Sequence, residues 1–424
     1  MPIELLCGQT LPTPYAKSAL SEKLADMEGT PTEAYVKLYE HFARQPGIGL
    51  LVTGHIMITK KGRGEPNNVV LHPRDLASTT ETVHMLAKTV DAVRAANPDV
   101  RLIAQINHCG RQVPKSLVKA NFEGFSDSLY AGRVISFGDT AVEHTMGAFP
   151  KPLNVKYELE AYTEGREAPI LDELTREYAD AADCLVNKCG LHGVQVHVSH
   201  GYLMNDFVSH GGWVVLERVL EKCRERIGSN KILAVKINIP AEGEDVREYK
   251  RRLTGIIASD KVKLDIVEFS AGSYSKPIMI NNVMVPFSLA FSQDFKKHLL
   301  AEGSKCCVMP TGRFTSKDMA DKTIKDTGVD LIGFGRAFCL PEPFAESTTR
   351  IVRTGLPLNK FSSKIMYSLG KISPFAAAGP NTMYFASFFP LIADGTLKTN
   401  EEADAYGRKM CGLIWYLKLV FGMK

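Results

Sequence analysis

No stretch of this 424-residue chain reaches the ~18 uninterrupted apolar residues a membrane-spanning helix needs; the nearest approach, residues 413–423, is broken by Lys418. Runs of like charge are absent as well. Lysine and arginine number 51 against 47 acidic side chains, a net charge of +4, and no basic arm for nucleic acid is implied. The nine cysteines form no CxxC pair, and Cys306 and Cys307 are adjacent in the chain. That usage reads as reduced thiols rather than a disulfide framework. The opening Met1-Pro2-Ile3-Glu4 has neither a basic region nor a long apolar one, so no secretory leader and a cytoplasmic location are expected. Low-complexity segments and internal repeats are also lacking. What is there, 45% hydrophobic and 23% charged residues, is a globular composition that excludes disordered chains and collagen-like or coiled-coil rods.

The length admits about three domains, or one barrel with insertions. Short apolar runs rich in Val, Ile and Leu occur at residues 15–20, 49–58, 101–107, 193–198, 232–238, 264–270, 305–310 and 330–334. Each has the length and content of a strand buried on both faces. Between them lie amphipathic stretches with plausible N-caps: Thr32 before residues 33–45, Asp172 before 173–190, and Thr315-Ser316 before 317–327. Eight strand–helix units match a (β/α)8 TIM barrel, although a doubly wound sheet alternates in the same way. Two regions break the rhythm. A Gly-, Pro- and aromatic-rich stretch at 108–171 reads as a long loop after the third strand, on the face where insertions build lids. Beyond Gly355 the repeat stops. The expected division is a barrel over 1–355 with its insertion, and an extension over 356–424 packed on it. A helical pattern at 401–420 closes that extension.

Chemistry gathers at the strand ends. His197, His200 and Tyr202 fall within six positions where the fourth strand ends. Imidazole N–H groups there can polarise a carbonyl or hold an anion, and a tyrosine can deliver a proton. The plainer reading is a set of packed or capping side chains. A metal reading of His-x-x-His lacks a nearby carboxylate or Cys ligand, and no metal is expected. Gln105 ends the third strand, where its amide could read a flat heterocycle through donor and acceptor together. Gly312-Arg313 and Gly335-Arg336 follow the seventh and eighth strands, the place of the phosphate site in barrels. Gly333-x-Gly335 is not a dinucleotide fingerprint, because Phe338 stands at the third glycine position.

Together these motifs resemble the old yellow enzyme family of FMN-dependent NADH:flavin oxidoreductases, from the first strand to about Pro343. The segments that carry the resemblance are His197-x-x-His200-Gly201-Tyr202-Leu203, Gln105-x-Asn107-His108-x-Gly110-Arg111-Gln112 and Gly333-x-Gly335-Arg336. Weaker support comes from Lys17-Ser18-Ala19-Leu20-Ser21-Glu22 and Gly62-x-Gly64-Glu65-Pro66-x-Asn68. Gly412-Leu413-Ile414-Trp415-Tyr416 is similar to the tail of one branch.

The resemblance implies a TIM barrel holding FMN, with NAD(P)H as electron donor and an activated alkene, an α,β-unsaturated carbonyl compound, as acceptor. It also implies roles. Ala19, Leu20 and Ser21 would lie along the flavin, with Ser21 tuning its potential. Gly54 would let the ring lie flat, and Gln105 would pair with its pyrimidine edge. Lys236 would supply the cation, and Gly312, Arg313, Gly335 and Arg336 would cradle the phosphate. His197 and His200 would hold the substrate carbonyl, and Tyr202 would donate the proton. The chain departs from the pattern at Lys236, where many members carry Arg, and at Arg313, where Gly is usual. Residues 207–213 also replace a longer loop. Two alternatives stay open: an NAD(P)H oxidase-like relative with weak alkene activity, and a non-catalytic barrel binding a phosphate ligand. Neither nucleic acid nor membrane is an expected partner. Oligomeric state is open, since the apolar stretch around Leu413 and Trp415 could pack on its own barrel or on a second copy.

Overall fold

The computed structural model describes residues 2–112, 135–136, 153–154, 156–272, 286–355 and 384–409. Most of the 108–171 insertion and the Leu413–Trp415 stretch therefore lie outside the described residues. Eight parallel strands form the barrel: β1 Tyr15–Lys17, β2 Leu50–Met57, β3 Arg101–Asn107, β4 Gly193–Val198, β5 Ile232–Asn238, β6 Ile266–Ser270, β7 Cys307–Pro310 and β8 Ile332–Phe334; a two-residue strand, Val69–Val70, adds to the same sheet beside β2. Each pairs with its neighbour in chain order from β1 to β7. Closure comes from β8, which pairs with β1 through Ile332 and Tyr15 and meets β7 at a Thr311–Gly333 bridge. The helices between strands are α1 Glu33–Ala43, α2 Glu81–Ala96, α3 Pro169–Asp183, α4 Trp213–Ile227, α5 Val246–Ala258, α6 Leu289–Ala301 and α7 Lys317–Thr327, and α8 Glu346–Thr354 follows the last strand. The fold is a (β/α)8 TIM barrel, and the doubly wound alternative is set aside because the sheet closes on itself.

Helix starts follow local chemistry. Ser316 accepts from the Met319 backbone N–H at 3.3 Å to cap α7. Asp245 caps α5 by accepting from the Arg247 and Glu248 N–H groups. The start expected at Asp172 moves back to Pro169. Proline at the first helical position is pre-set in φ and lacks only an N–H that would be unpaired there anyway. The helix then widens into a π turn, Cys184–Lys188, so the expected reach to residue 190 is not one regular helix.

Alternation divides the core. Outward residues such as Leu102, Ala104, Val194, Val196, Leu233 and Val235 pack beneath the helices. A second cluster of inward residues, including Ala16, Leu50, Val52, Ile103, Ile232, Ala234, Ile266 and Met309, fills the barrel. A short antiparallel hairpin, Ile3–Glu4 with Thr10–Leu11, covers the N-terminal end and adds Leu5 and Leu11 to that inner cluster. The eight described cysteines are all free thiols.

Of the chain beyond Gly355, helices α9 Phe388–Ala393 and α10 Asn400–Lys409 are described. Phe389 sits 6.3 Å from Phe42 of α1, ring centre to ring centre. Asn400 ties α10 to the barrel through the Glu342 carbonyl and the Thr348 hydroxyl, both at 2.9 Å.

Candidate active site

The inward row is mostly apolar deeper in the barrel, with Gln195 and Glu268 as exceptions, and turns polar at the C-terminal ends of the strands. Two positions beyond Ala16, Ile103, Gln195, Ala234, Glu268 and Met309 come Ser18, Gln105, His197, Lys236, Ser270 and Thr311. All six line one cavity at the barrel mouth. The strand alternation that builds an apolar barrel floor thus supplies the side chains of the cavity as well.

A hydrogen-bonded chain crosses this layer. Gln105 Nε2 donates to Gln195 Oε1 at 2.7 Å, and Gln195 Nε2 donates to Glu268 Oε2 at 2.8 Å. The Lys236 ammonium lies 2.9 Å from Glu268 Oε1. Buried groups so arranged hold their rotamers firmly, because each broken bond strands a polar atom. Gln105 Oε1 is left over: it is buried and makes no well-formed hydrogen bond among the described residues.

The imidazoles stand above that chain. His197 is 1% exposed, and neither of its ring nitrogens has a hydrogen-bond partner among the described residues. Leaving such atoms unmade costs roughly 1–3 kcal/mol each, unless a ligand meets them. His200 Nε2 lies 2.9 Å from the Ser270 hydroxyl. Burial holds both imidazoles well below the usual histidine range, and Lys236 and the neighbouring histidines add to the shift. Both are therefore neutral at pH 7, each with one N–H to give. His200 has φ +64°, a left-handed backbone that β-carbons resist, and Gly201 follows at +79°.

On the opposite wall, Ser21 donates to Glu65, and Lys23 lies 2.9 Å from the other Glu65 oxygen. Burial alone would raise the Glu65 carboxyl, but Lys23 and Ser21 hold it below the usual range. The far corner is cationic: Arg313 and Arg336 line it with Gly312 and Gly335. Gly312 has φ +98°, and a β-carbon there would stand 2.5 Å from Phe287. Arg313 adopts φ +73°, which explains the preference for glycine at that position.

Eleven of the thirteen residues singled out in the sequence line this cavity: Ala19, Leu20, Ser21, Gln105, His197, His200, Lys236, Gly312, Arg313, Gly335 and Arg336. Gly54 and Tyr202 are not on its wall. Gly54 packs outward against the β1 side, where its N–H donates to the Tyr39 hydroxyl at 2.9 Å. A β-carbon on Gly54 would lie 1.8 Å from Glu22 Oε2 and 2.2 Å from the Leu20 carbonyl. Its smallness serves that approach rather than a flat ring. Tyr202 is 5% exposed and caps the short helix Leu203–Ser209, its ring 5.2 Å from that of His197. This helix runs into residues 207–213, the stretch read in the sequence as replacing a longer loop. Its Asp206 is gripped by Arg111 at 3.0 Å.

Sequence reading missed His55 and Glu65 as cavity residues, and missed Phe385, Ala386 and Phe389 from the extension. Strand alternation alone would have offered Ser270 and Thr311. No sequence signal marked the extension's contribution.

Comparison with known proteins adds to the geometry. Residues 18–212 match the NADH:flavin oxidoreductase / NADH oxidase family model. The chain is 24% identical over 362 residues to NADH-dependent flavin oxidoreductase iliE of Hypocrea jecorina, covering 79% of this chain and 85% of that protein. It is 23% identical over 335 residues to an NADPH dehydrogenase of Clostridium acetobutylicum, covering 74% and 84%. The old yellow enzyme from Trypanosoma cruzi shares the fold with a TM-score of 0.63 at 16% identity, covering 84% of this chain and 92% of that one. The chain is thus similar over residues 18–212 to the NADH:flavin oxidoreductase / NADH oxidase family, and it shares the old yellow enzyme fold.

FMN is accordingly its flavin and NAD(P)H its reductant. An old yellow enzyme barrel must meet a flat heterocycle at one end and a phosphate at the other, and the donor set here fits both. Gln105, whose Oε1 has no well-formed hydrogen bond among the described residues, the Lys236 ammonium and two Gly-Arg pairs all line this cavity.

Proposed function

We propose that this flavin oxidoreductase reduces activated alkenes, with an α,β-unsaturated carbonyl group as the recognised feature. The observation that carries the reading is His197: buried, neutral and without a protein partner for either nitrogen among the described residues, beside His200 in the cavity wall. Two neutral N–H donors suit a carbonyl oxygen, and they stabilise it more as it gains negative charge. Bound FMN would supply the hydride chemistry. Ala19, Leu20, Ser21, Gln105 and Lys236 would hold its ring, and Gly312, Arg313, Gly335 and Arg336 its phosphate. Lys236, held by Glu268 at 2.9 Å, places its ammonium in the cavity wall. Tyr202, its ring 5.2 Å from that of His197, is the proton donor in this scheme. NAD(P)H oxidase turnover is the second reading, favoured by the absence of Tyr202 from the cavity wall.

Purified protein should be yellow and release FMN on heating. NADH or NADPH should bleach it without oxygen, and cyclohexenone should restore the colour. Restoration by oxygen but not by enones would select the oxidase reading, and colourless protein that takes up no added FMN would sink both.

A further inference from the structure

The cavity carries a third imidazole that neither the motif pattern nor the roles above use. Strand β2 is irregular. Its pairing with β3 runs Leu50–Arg101, Leu51–Leu102 and Val52–Ile103, then jumps to His55–Gln105. A β-bulge at residues 53–54 absorbs the extra residue. In unbroken alternation, Leu50 and Val52 inside the barrel would be followed inside by Gly54. The bulge instead turns Gly54 out toward Tyr39 and Glu22 and brings His55 inward, level with Gln105.

His55 lines the cavity and remains partly open to it, unlike the buried residues on either side of it. Its ring meets His197 edge-on with centres 4.8 Å apart, and Tyr202 at 5.2 Å. The Asn107 amide nitrogen faces His55 Nδ1 at 3.4 Å, an arrangement that places the ring proton on Nε2. Burial lowers its pKa to about 4; Glu65 and a contact with the Gln105 side chain oppose the shift, and Lys236 adds to it. At neutral pH it is a hydrogen-bonding group without charge. A bulge that swaps an inward glycine for an inward imidazole costs regular pairing, and the floor gains a third ring next to an unpartnered one.

We propose that His55 is a ligand-contacting residue, a third imidazole donor that shares the substrate's oxygen with His197 and His200 and so sets preference for oxyanion-like ligands. This rests on the reading of the cavity as the carbonyl-binding site. It goes beyond that reading in assigning a contact to a residue on another strand.

The test is the affinity of the FMN-loaded protein for a phenolate, p-hydroxybenzaldehyde, read from its long-wavelength charge-transfer band with oxidised flavin. Four proteins are compared: native, His55→Leu, His55→Asn, and the double variant His197→Ala/His200→Ala. FMN content is measured for each. His55→Leu should weaken binding at least tenfold, and His55→Asn, which keeps a donor, should stay within threefold of native. A His55→Leu value within threefold of native, while the double variant loses binding, overturns the role of His55 alone. A loss in His55→Leu that Asn does not rescue overturns it too, since shape and not donation would then be responsible. Undiminished binding by the double variant overturns the underlying site reading instead.

Discussion

Arg313 shows how one residue can satisfy two demands poorly and still be kept. Its φ of +73° costs an ordinary side chain roughly 1–2 kcal/mol, while glycine is free of that strain but loses about 0.5–1 kcal/mol in chain entropy. Arg313→Gly should therefore leave the denaturation midpoint nearly unchanged or slightly raised. The same change removes a guanidinium from the cationic corner of the cavity, so FMN affinity, measured by fluorescence titration, should fall about tenfold or more. His197 makes the opposite case, with no protein hydrogen bond to lose among the described residues. His197→Ala should cost little stability yet lower kcat/KM for cyclohexenone roughly 10²–10³-fold, the scale of removing one donor to a developing oxyanion. An unchanged kcat/KM would remove His197 from the substrate site. Both residues were legible in the sequence as types in the right place. Arg313's backbone strain was not, because φ is decided by how the β7 end closes over Phe287.

At the scale of elements, β2 is the informative strand. Eight apolar runs were enough to locate the strands, and three of them matched to the residue. The reason is that a strand buried on both faces leaves an uninterrupted apolar signature. A bulge leaves no such mark, and the inward position expected for Gly54 is taken by His55. The reason Gly54 is small lies behind it, in a buried network. Lys17, fully buried, donates to Glu22 at 2.7 Å and to the Val52 carbonyl at 3.0 Å, and the Tyr39 hydroxyl donates to the same carboxylate at 2.8 Å. Buried pairs of this kind are stable only while every lone pair and proton is matched. Gly54→Ala would drive a methyl into Glu22 and the Leu20 carbonyl. A loss of about 1–3 kcal/mol is expected, seen as a lower urea midpoint, with FMN retention also falling because Leu20 borders the cavity. An unaffected midpoint would mean that the loop carrying Leu20 and Glu22 yields freely.

For the whole molecule, acid sensitivity follows from its histidines. Burial lowers His55 to about 4 and His108 to about 3, and lowers His192 to about 4 with Arg101 adding. A histidine with a depressed folded-state pKa binds fewer protons folded than unfolded, so stability is full above the unfolded value near 6.5 and declines below it. Each should contribute a loss on the order of 1 kcal/mol between pH 7 and pH 5, after discounting for partial exposure. Urea midpoints at the two pH values check this, and a flat profile would show that the rings hydrate and titrate normally in the fold.

The sequence by itself determined the repeating strand–helix order and the residue types at the strand ends, because alternation and burial are local properties written every second or every fourth residue; closure into a barrel rather than a doubly wound sheet came from the β8–β1 pairing. Tertiary structure decided which of those residues face one another. The bulge that exchanged Gly54 for His55, the hydrogen bond from Ser21 to Glu65, and the arrival of Phe385 and Phe389 from the extension all depend on contacts between segments far apart in the chain. The absences noted at the outset, of long apolar runs and of charge clusters, left a near-neutral globular chain. Only the closed barrel shows that its decisive cations, Lys236, Arg313 and Arg336, point into one cavity, since closure of the sheet is what brings β5, β7 and β8 to a common mouth.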